Sequence, residues 1–152
     1  VRRGINGMPG GWGPTPLPLP AAGDLPLPPC YCGRAGCIET YLSGPGLSRD
    51  HKALTGRDEA AEAIVAQGGK SVDRYVERLA RALSGVINVL DPDVIVLGGG
   101  MSNVGRLYTD VPRLWTRTVF SDHVATRLAR NAHGDSSGVR GAAWLWDNGR
   151  QR

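Results

Sequence analysis

Nine of the eleven prolines in this 152-residue chain fall within its first 45 residues. Proline carries no N–H and fixes φ, so a stretch this rich in it cannot build a helix or a central strand. Residues 1–29 hold Gly10-Gly11 and prolines at 14, 16, 18, 20, 26, 28 and 29. They are therefore expected to run as an extended loop that needs a partner surface.

The texture changes after Gly46. No proline occurs between there and Pro92, and apolar residues recur at helical spacing. One helix is predicted over 58–67, stopped by Gly68-Gly69, and a longer one over 71–90. The longer one has its apolar stripe at 72, 75, 76, 79, 83, 86, 87 and 90. A short helix is expected over 38–42, ending near Ser43-Gly44-Pro45-Gly46. Asp93-Val-Ile-Val-Leu97 reads as a buried strand of a parallel sheet. The turn Gly98-Gly99-Gly100 should lead to Ser102 or Asn103 as the N-cap of a helix reaching about Phe120. A short strand near 125–129, a polar turn at 133–137 and a final helix over 138–146 complete the reading. In that helix, one of Trp144 and Trp146 belongs to the core. Helix alternating with strand makes this an α/β chain.

A length of 152 residues suits one domain, able to bury roughly 70% of its unfolded surface. The net charge of +4 comes from 16 Arg and 2 Lys against 14 acids. The arginines are dispersed beside acids, as in Arg74, Glu77, Arg78 and Arg81, which reads as solvated helix faces rather than a nucleic-acid surface. No apolar run approaches the ~20 residues a bilayer requires, and no leader of signal type is evident. A soluble, cytoplasmic protein is expected.

The strongest chemical signal is Cys30-Tyr-Cys32-Gly-Arg-Ala-Gly-Cys37-Ile-Glu39. Three sulfurs separated by one and four residues, with glycines at 33 and 36 to allow tight turning, can converge on a tetrahedral Zn²⁺. Such a site calls for a fourth ligand. Three buried free cysteines are the alternative. Glu39 falls on the short helix that the knuckle would anchor. The Gly98-Gly99-Gly100 turn offers backbone N–H groups to a ligand, or simply lets a helix pack closely on a strand.

The knuckle, with the Thr-Tyr-Leu-Ser-Gly-Pro-Gly that follows it, resembles the zinc signature of the ROK family of sugar kinases and sugar-responsive repressors. Asn6-Gly7, Asp91-Pro-Asp-Val-Ile-Val-Leu-Gly-Gly-Gly-Met-Ser102 and His133-Gly-Asp-Ser-Ser-Gly-Val-Arg-Gly-Ala-Ala-Trp-Leu-Trp146 resemble its fructokinase (manno-fructokinase) branch. The resemblance implies an actin-like ATPase (ribonuclease H-like) fold and transfer of the ATP γ-phosphoryl group to a hexose, with fructose as substrate. It further implies Mg²⁺ with ATP, structural Zn²⁺ on Cys30, Cys32 and Cys37, sugar contacts from Glu39 and Asn6, and nucleotide contacts from Gly98, Gly99 and Gly100. A homodimer is the assembly it suggests.

On this resemblance the chain corresponds to the C-terminal half of a family member. Residues 1–29 form a loop, 30–47 the knuckle and sugar-cleft helix, and 48–152 a helical, nucleotide-side lobe. The catalytic Asp is then expected in the other half, so this chain supplies none and is expected to be inactive alone. A fragment of a non-catalytic sugar-sensing regulator is the alternative.

Family members read Gly-Glu-x-Gly-His where this chain has Gly10-Gly11-Trp12-Gly13-Pro14. The resemblance gives that Glu to the sugar and that His to zinc. Neither Gly11 nor Pro14 has a side chain for the task. Zinc would then be held by three thiolates and water, by a substitute such as His51 or Asp24, or not at all. Restoring both residues, Gly11→Glu with Pro14→His, should tighten zinc in a chelator competition. Unchanged affinity would mean that another group already completes the site.

Overall fold

A computed structural model describes residue 5 and residues 11–134. Asn6 and the last expected helix, with Asp135, Ser136, Trp144 and Trp146, lie outside the described residues. The chain divides into two compact units, Val1–Ala82 and Leu83–Arg152.

In the first unit the prolines act as expected. Residues 11–37 form a strap broken only by one 3-10 turn, Ala22–Asp24, and joined to itself by isolated bridges Pro16↔Cys37 and Pro29↔Ala35. Four helices follow: α1 (Ile38–Tyr41), α2 (Gly44–Thr55), α3 (Ala61–Gln67) and α4 (Lys70–Leu90), the last eight residues of α4 belonging to the second unit. α1 stops just ahead of Ser43-Gly44-Pro45-Gly46, as expected, and the same segment also begins α2, an unanticipated helix. Ser43 caps α2 by accepting from the Gly46 N–H at 3.0 Å. Pro45 sits in the first turn, where its missing N–H costs nothing. Gly46 is required there, because a Cβ would lie 2.7 Å from the Thr40 carbonyl oxygen.

The strap finds its partner surface on α1 and α4. Leu17, Ile38, Tyr41 and Ala82 form one buried cluster, with Trp12 and Leu42 packed against it. Beside it lies an ionic core that corrects the expectation of solvated arginines. Arg78 and Arg81 are buried, at 3% and 6% exposure. Arg78 Nε and Arg81 Nη2 donate to the two oxygens of Asp24 at 2.7 and 2.8 Å. The Ala21 N–H adds a third bond at 2.8 Å. Arg78 also reaches Asp50 at 3.0 Å and stacks over the Tyr41 ring at 4.9 Å. The charges are buried because the strap lays Asp24 across α4 more than 50 residues away in sequence.

In the second unit, β1 (Val94–Leu97) pairs in parallel with β2 (Arg127–Arg130), Val94 opposite Arg127. Between them come a 3-10 turn, Gly100–Asn103, and α5 (Arg106–Trp115). The strand is parallel as expected, but not buried on both faces. Val94 and Val96 remain 40% and 55% exposed, since the described residues cover only the alternate face. Neither Ser102 nor Asn103 caps α5. Its N-cap is Gly105, and the chain turns out of the helix at Trp115, short of Phe120. Leu107, Val111 and Trp115 are the buried positions of α5. Among the described residues no helix is long and apolar enough to cross a membrane.

Truncating one partner of a buried ion pair costs about 3–5 kcal/mol, because the remaining charges lose their counter-ion, whereas exposed pairs contribute about 0–1. Asp24→Ala should therefore lower unfolding stability by about 3–5 kcal/mol in urea titration, and Asp58→Ala, whose pair with Lys52 is solvent-exposed, by under about 1. Burial opposes ionisation of Asp24, but the Ala21 N–H and the two guanidiniums outweigh it and hold its carboxyl below the usual range. Its contribution is thus complete above the ordinary carboxylate pKa of about 4 and is lost as pH falls through the lower folded value. In Asp24→Ala that acid-side loss should be smaller.

Candidate functional site

The knuckle is shaped by two glycines in the left-handed region, Gly33 at φ 84° and Gly36 at φ 73°. Backbone bonds Cys30 N–H to Arg34 O, at 2.8 Å, and Gly33 N–H to Cys30 O, at 3.1 Å, close the turn. Ile38 and Glu39 then donate to Thr15 and Gly13 at 2.8 and 3.0 Å, fixing the start of α1 to the strap. As a result the Sγ atoms of Cys30, Cys32 and Cys37 all lie within 4.8 Å of one another. Cys32 and Cys37 are 3.6 Å apart. Tetrahedral Zn–S bonds of about 2.3 Å place sulfurs roughly 3.8 Å apart. The three thiols therefore fit a zinc ion with little rearrangement, and as soft donors they suit it chemically.

Glu39 stands at the edge of this cluster. Its Oε1 accepts from the Cys30 thiol at 3.1 Å. A Cβ on Gly13 would sit 3.0 Å from Oε2, so glycine at 13 leaves room for the carboxylate. The strap also runs beside the sulfurs at Pro14, whose carbonyl oxygen accepts from Cys37 Sγ at 3.5 Å and from Arg34 Nη2 at 2.9 Å. Arg34 and Gly13 belong to the site and escape sequence reasoning. Arg34 could have been suspected from its place inside the knuckle, whereas Gly13 is separated from Glu39 by 26 positions.

The suggested substitute ligands are committed elsewhere. The Asp24 carboxylate holds Arg78 and Arg81. His51, buried in α2, places Nδ1 2.9 Å from Ser71 Oγ and Nε2 3.8 Å from Glu59. Neither joins the sulfur cluster.

In the second unit, Gly98, Gly99 and Gly100 follow β1 as expected. Gly99 needs its freedom, at φ 76°. Among the described residues, a Cβ at any of the three would meet no atom within 4 Å. Its carbonyls are tied down from behind: Ser102 N–H and Oγ both donate to Gly99 O, at 2.9 and 2.7 Å, and Asn131 Nδ2 donates to Leu97 O at 3.1 Å.

The metal-free thiols differ sharply. Hydrogen bonding from the Arg34 side chain and backbone draws Cys32 down to about 6. For Cys30 the Cys32 backbone bond favours the thiolate, yet desolvation and the Glu39 carboxylate prevail and push it up to about 12. The thiolate is the nucleophile. Exposed Cys32 should therefore be the first of the three alkylated by iodoacetamide in metal-free chain at pH 7, its rate falling as pH drops through about 6. Arg34→Ala should move that midpoint upward, as peptide mapping by mass spectrometry would show.

The ROK family model matches residues 1–149. The chain is 37% identical over 156 aligned residues to an N-acetyl-D-glucosamine kinase of Photobacterium profundum, covering 95% of this chain and 52% of that protein. It is also similar to the solved ROK hexokinase of Thermus thermophilus, with TM-score 0.71 and 29% identity over 94% of this chain and 49% of that one. A ROK glucokinase of Streptomyces griseus, solved with glucose and AMPPNP, shares the fold at TM-score 0.73, 23% identity, and 95% and 53% coverage. The chain thus spans about half the length of the relatives it matches. A single family model running through strap, knuckle, α4 and the β1 loop accounts for all of them together: the chain belongs to the ROK family.

Proposed function

We propose that this chain is the sugar-side and nucleotide-side portion of an ATP-dependent hexose kinase whose substrate is N-acetyl-D-glucosamine or a close glucose analogue. The observation that carries this reading is the likeness, over 95% of the chain, to a kinase of that amino sugar. Fructose, which the fructokinase-like motifs suggested, finds no support in these relatives, all named for N-acetylglucosamine, glucose or hexose. The N-acetyl-D-glucosamine kinase and the hexokinase, at 37% and 29% identity, favour a kinase over a sugar-sensing regulator, although a ROK family transcriptional regulator shares the fold at 24% identity.

Each described residue has a task that its geometry suits, and Asn6 is assigned one by family likeness alone. Glu39, fixed by the α1 start and by Gly13, accepts hydrogen bonds from sugar hydroxyls, and charge-assisted bonds of this kind are both strong and orienting. Cys30, Cys32 and Cys37 would hold a zinc ion that stiffens the turn beneath it; the metal supplies rigidity, not chemistry at the sugar. Asn6 contributes a further sugar contact. The open loop Gly98-Gly99-Gly100 lets a nucleotide approach the backbone. Mg²⁺ bound with ATP would neutralise charge on the transferred phosphoryl group. The base that takes the hydroxyl proton is assigned to the half of the relatives that this chain does not span.

The test is complementation in one polypeptide. Joined to the N-terminal half of the Photobacterium profundum kinase, the chain should restore ATP-dependent phosphorylation, with kcat/KM for N-acetylglucosamine at least about tenfold above that for fructose. The 152 residues alone should give no turnover. Glu39→Gln in the fusion should lower kcat/KM by about tenfold or more, the worth of one charge-assisted hydrogen bond. A preference for fructose would overturn the substrate, and a folded fusion inert toward every hexose would overturn the kinase.

A further inference from the structure

The geometry points to a three-thiolate metal site whose fourth coordination position is open to exchangeable donors from solution. Three Sγ atoms converge within 4.8 Å, and among the described residues no further His, Cys, Asp or Glu ligand atom joins them. Residues 1–10 contain none of these four residue types, and residues 135–152, outside the described ones, contain two, Asp135 and Asp147. Asp24 and His51 are held by Arg78, Arg81 and Ser71. Glu39 touches Cys30 through Oε1, yet its carboxylate stays outside the converging set. The main chain at Pro14 comes within 3.5 Å of Cys37 Sγ, but it brings a carbonyl already engaged by Arg34, and the residue there has no donor side chain.

Zinc and cobalt(II) complete four ligands in such surroundings, so water takes the remaining corner. Cys32 is exposed, which leaves the ion within reach of small molecules. Three thiolates on a divalent ion leave one net negative charge, so a neutral donor such as imidazole enters without adding to it. On binding, each cysteine still in the thiol form gives its proton to the medium, and one metal–sulfur bond forms per cysteine.

The inference stands apart from the kinase assignment, because its readout is the metal's spectrum. The full chain, reduced and metal-free, is titrated with Co²⁺. Thiolate-to-metal charge transfer should appear together with four-coordinate d–d bands, and Cys32→Ser should remove roughly a third of the charge-transfer intensity. Imidazole should then shift the d–d bands saturably while the charge transfer of the unsubstituted chain is retained. Bands that imidazole leaves unmoved would show that the protein itself fills the fourth position, and would overturn the proposal. Absence of Co²⁺ binding, or charge transfer from fewer than three sulfurs, would overturn it as well. Because the imidazole titration uses the unsubstituted chain, a misfolded Cys32→Ser variant leaves the test intact.

Discussion

The Asp24 carboxylate decides whether the first unit has a site at all. It ties a strap that cannot form regular structure to α4, the longest of the described helices, through Arg78 and Arg81, and to the strap's own Ala21 N–H. A loop without ladder or helix bonds must satisfy its polar groups elsewhere. Here α4 does so: Arg78 also donates to Gly23 O and Arg81 to Pro18 O, both at 3.0 Å. Charged groups of this kind are costly to bury, and the return is position. The strap is held in one register, and everything hung on it inherits that register.

What hangs on it is the knuckle. Gly13 O and Thr15 O receive the first two N–H groups of α1, so the strap and the helix that carries Glu39 are fixed together. The same passage brings Pro14 beside Cys37 and Arg34 beside Pro14. One turn thus sets the sulfur spacing, the environment of each thiol and the placing of the carboxylate. A change at any of these points would be felt at the others.

Local chemistry was legible wherever the cause was local. The proline strap, the left-handed glycines of the knuckle, α4, the Val94–Leu97 strand and the open glycine turn all follow from residues adjacent in sequence. The stop near Ser43 holds, but the start of α2 there was missed, because Ser-Gly-Pro-Gly can both end one helix and cap the next, and the two helices here nearly touch in sequence. The capping of α5 was misread because Ser102 Oγ turns back to Gly99 O instead of forward to a helix N–H. There two short-range bonds compete, and packing selects between them.

By itself the sequence determined where regular structure could not form, which residues could gather a soft metal, and to which family the motifs belong, since proline geometry, glycine φ and thiol chemistry act over a few residues. Tertiary structure alone decided that Arg78 and Arg81 lie in the interior, that Asp24 and His51 serve packing and not the metal, and that the sulfurs converge as three. Those outcomes depend on which distant surfaces meet, and a buried charge or an unfilled ligand position exists only once they have met.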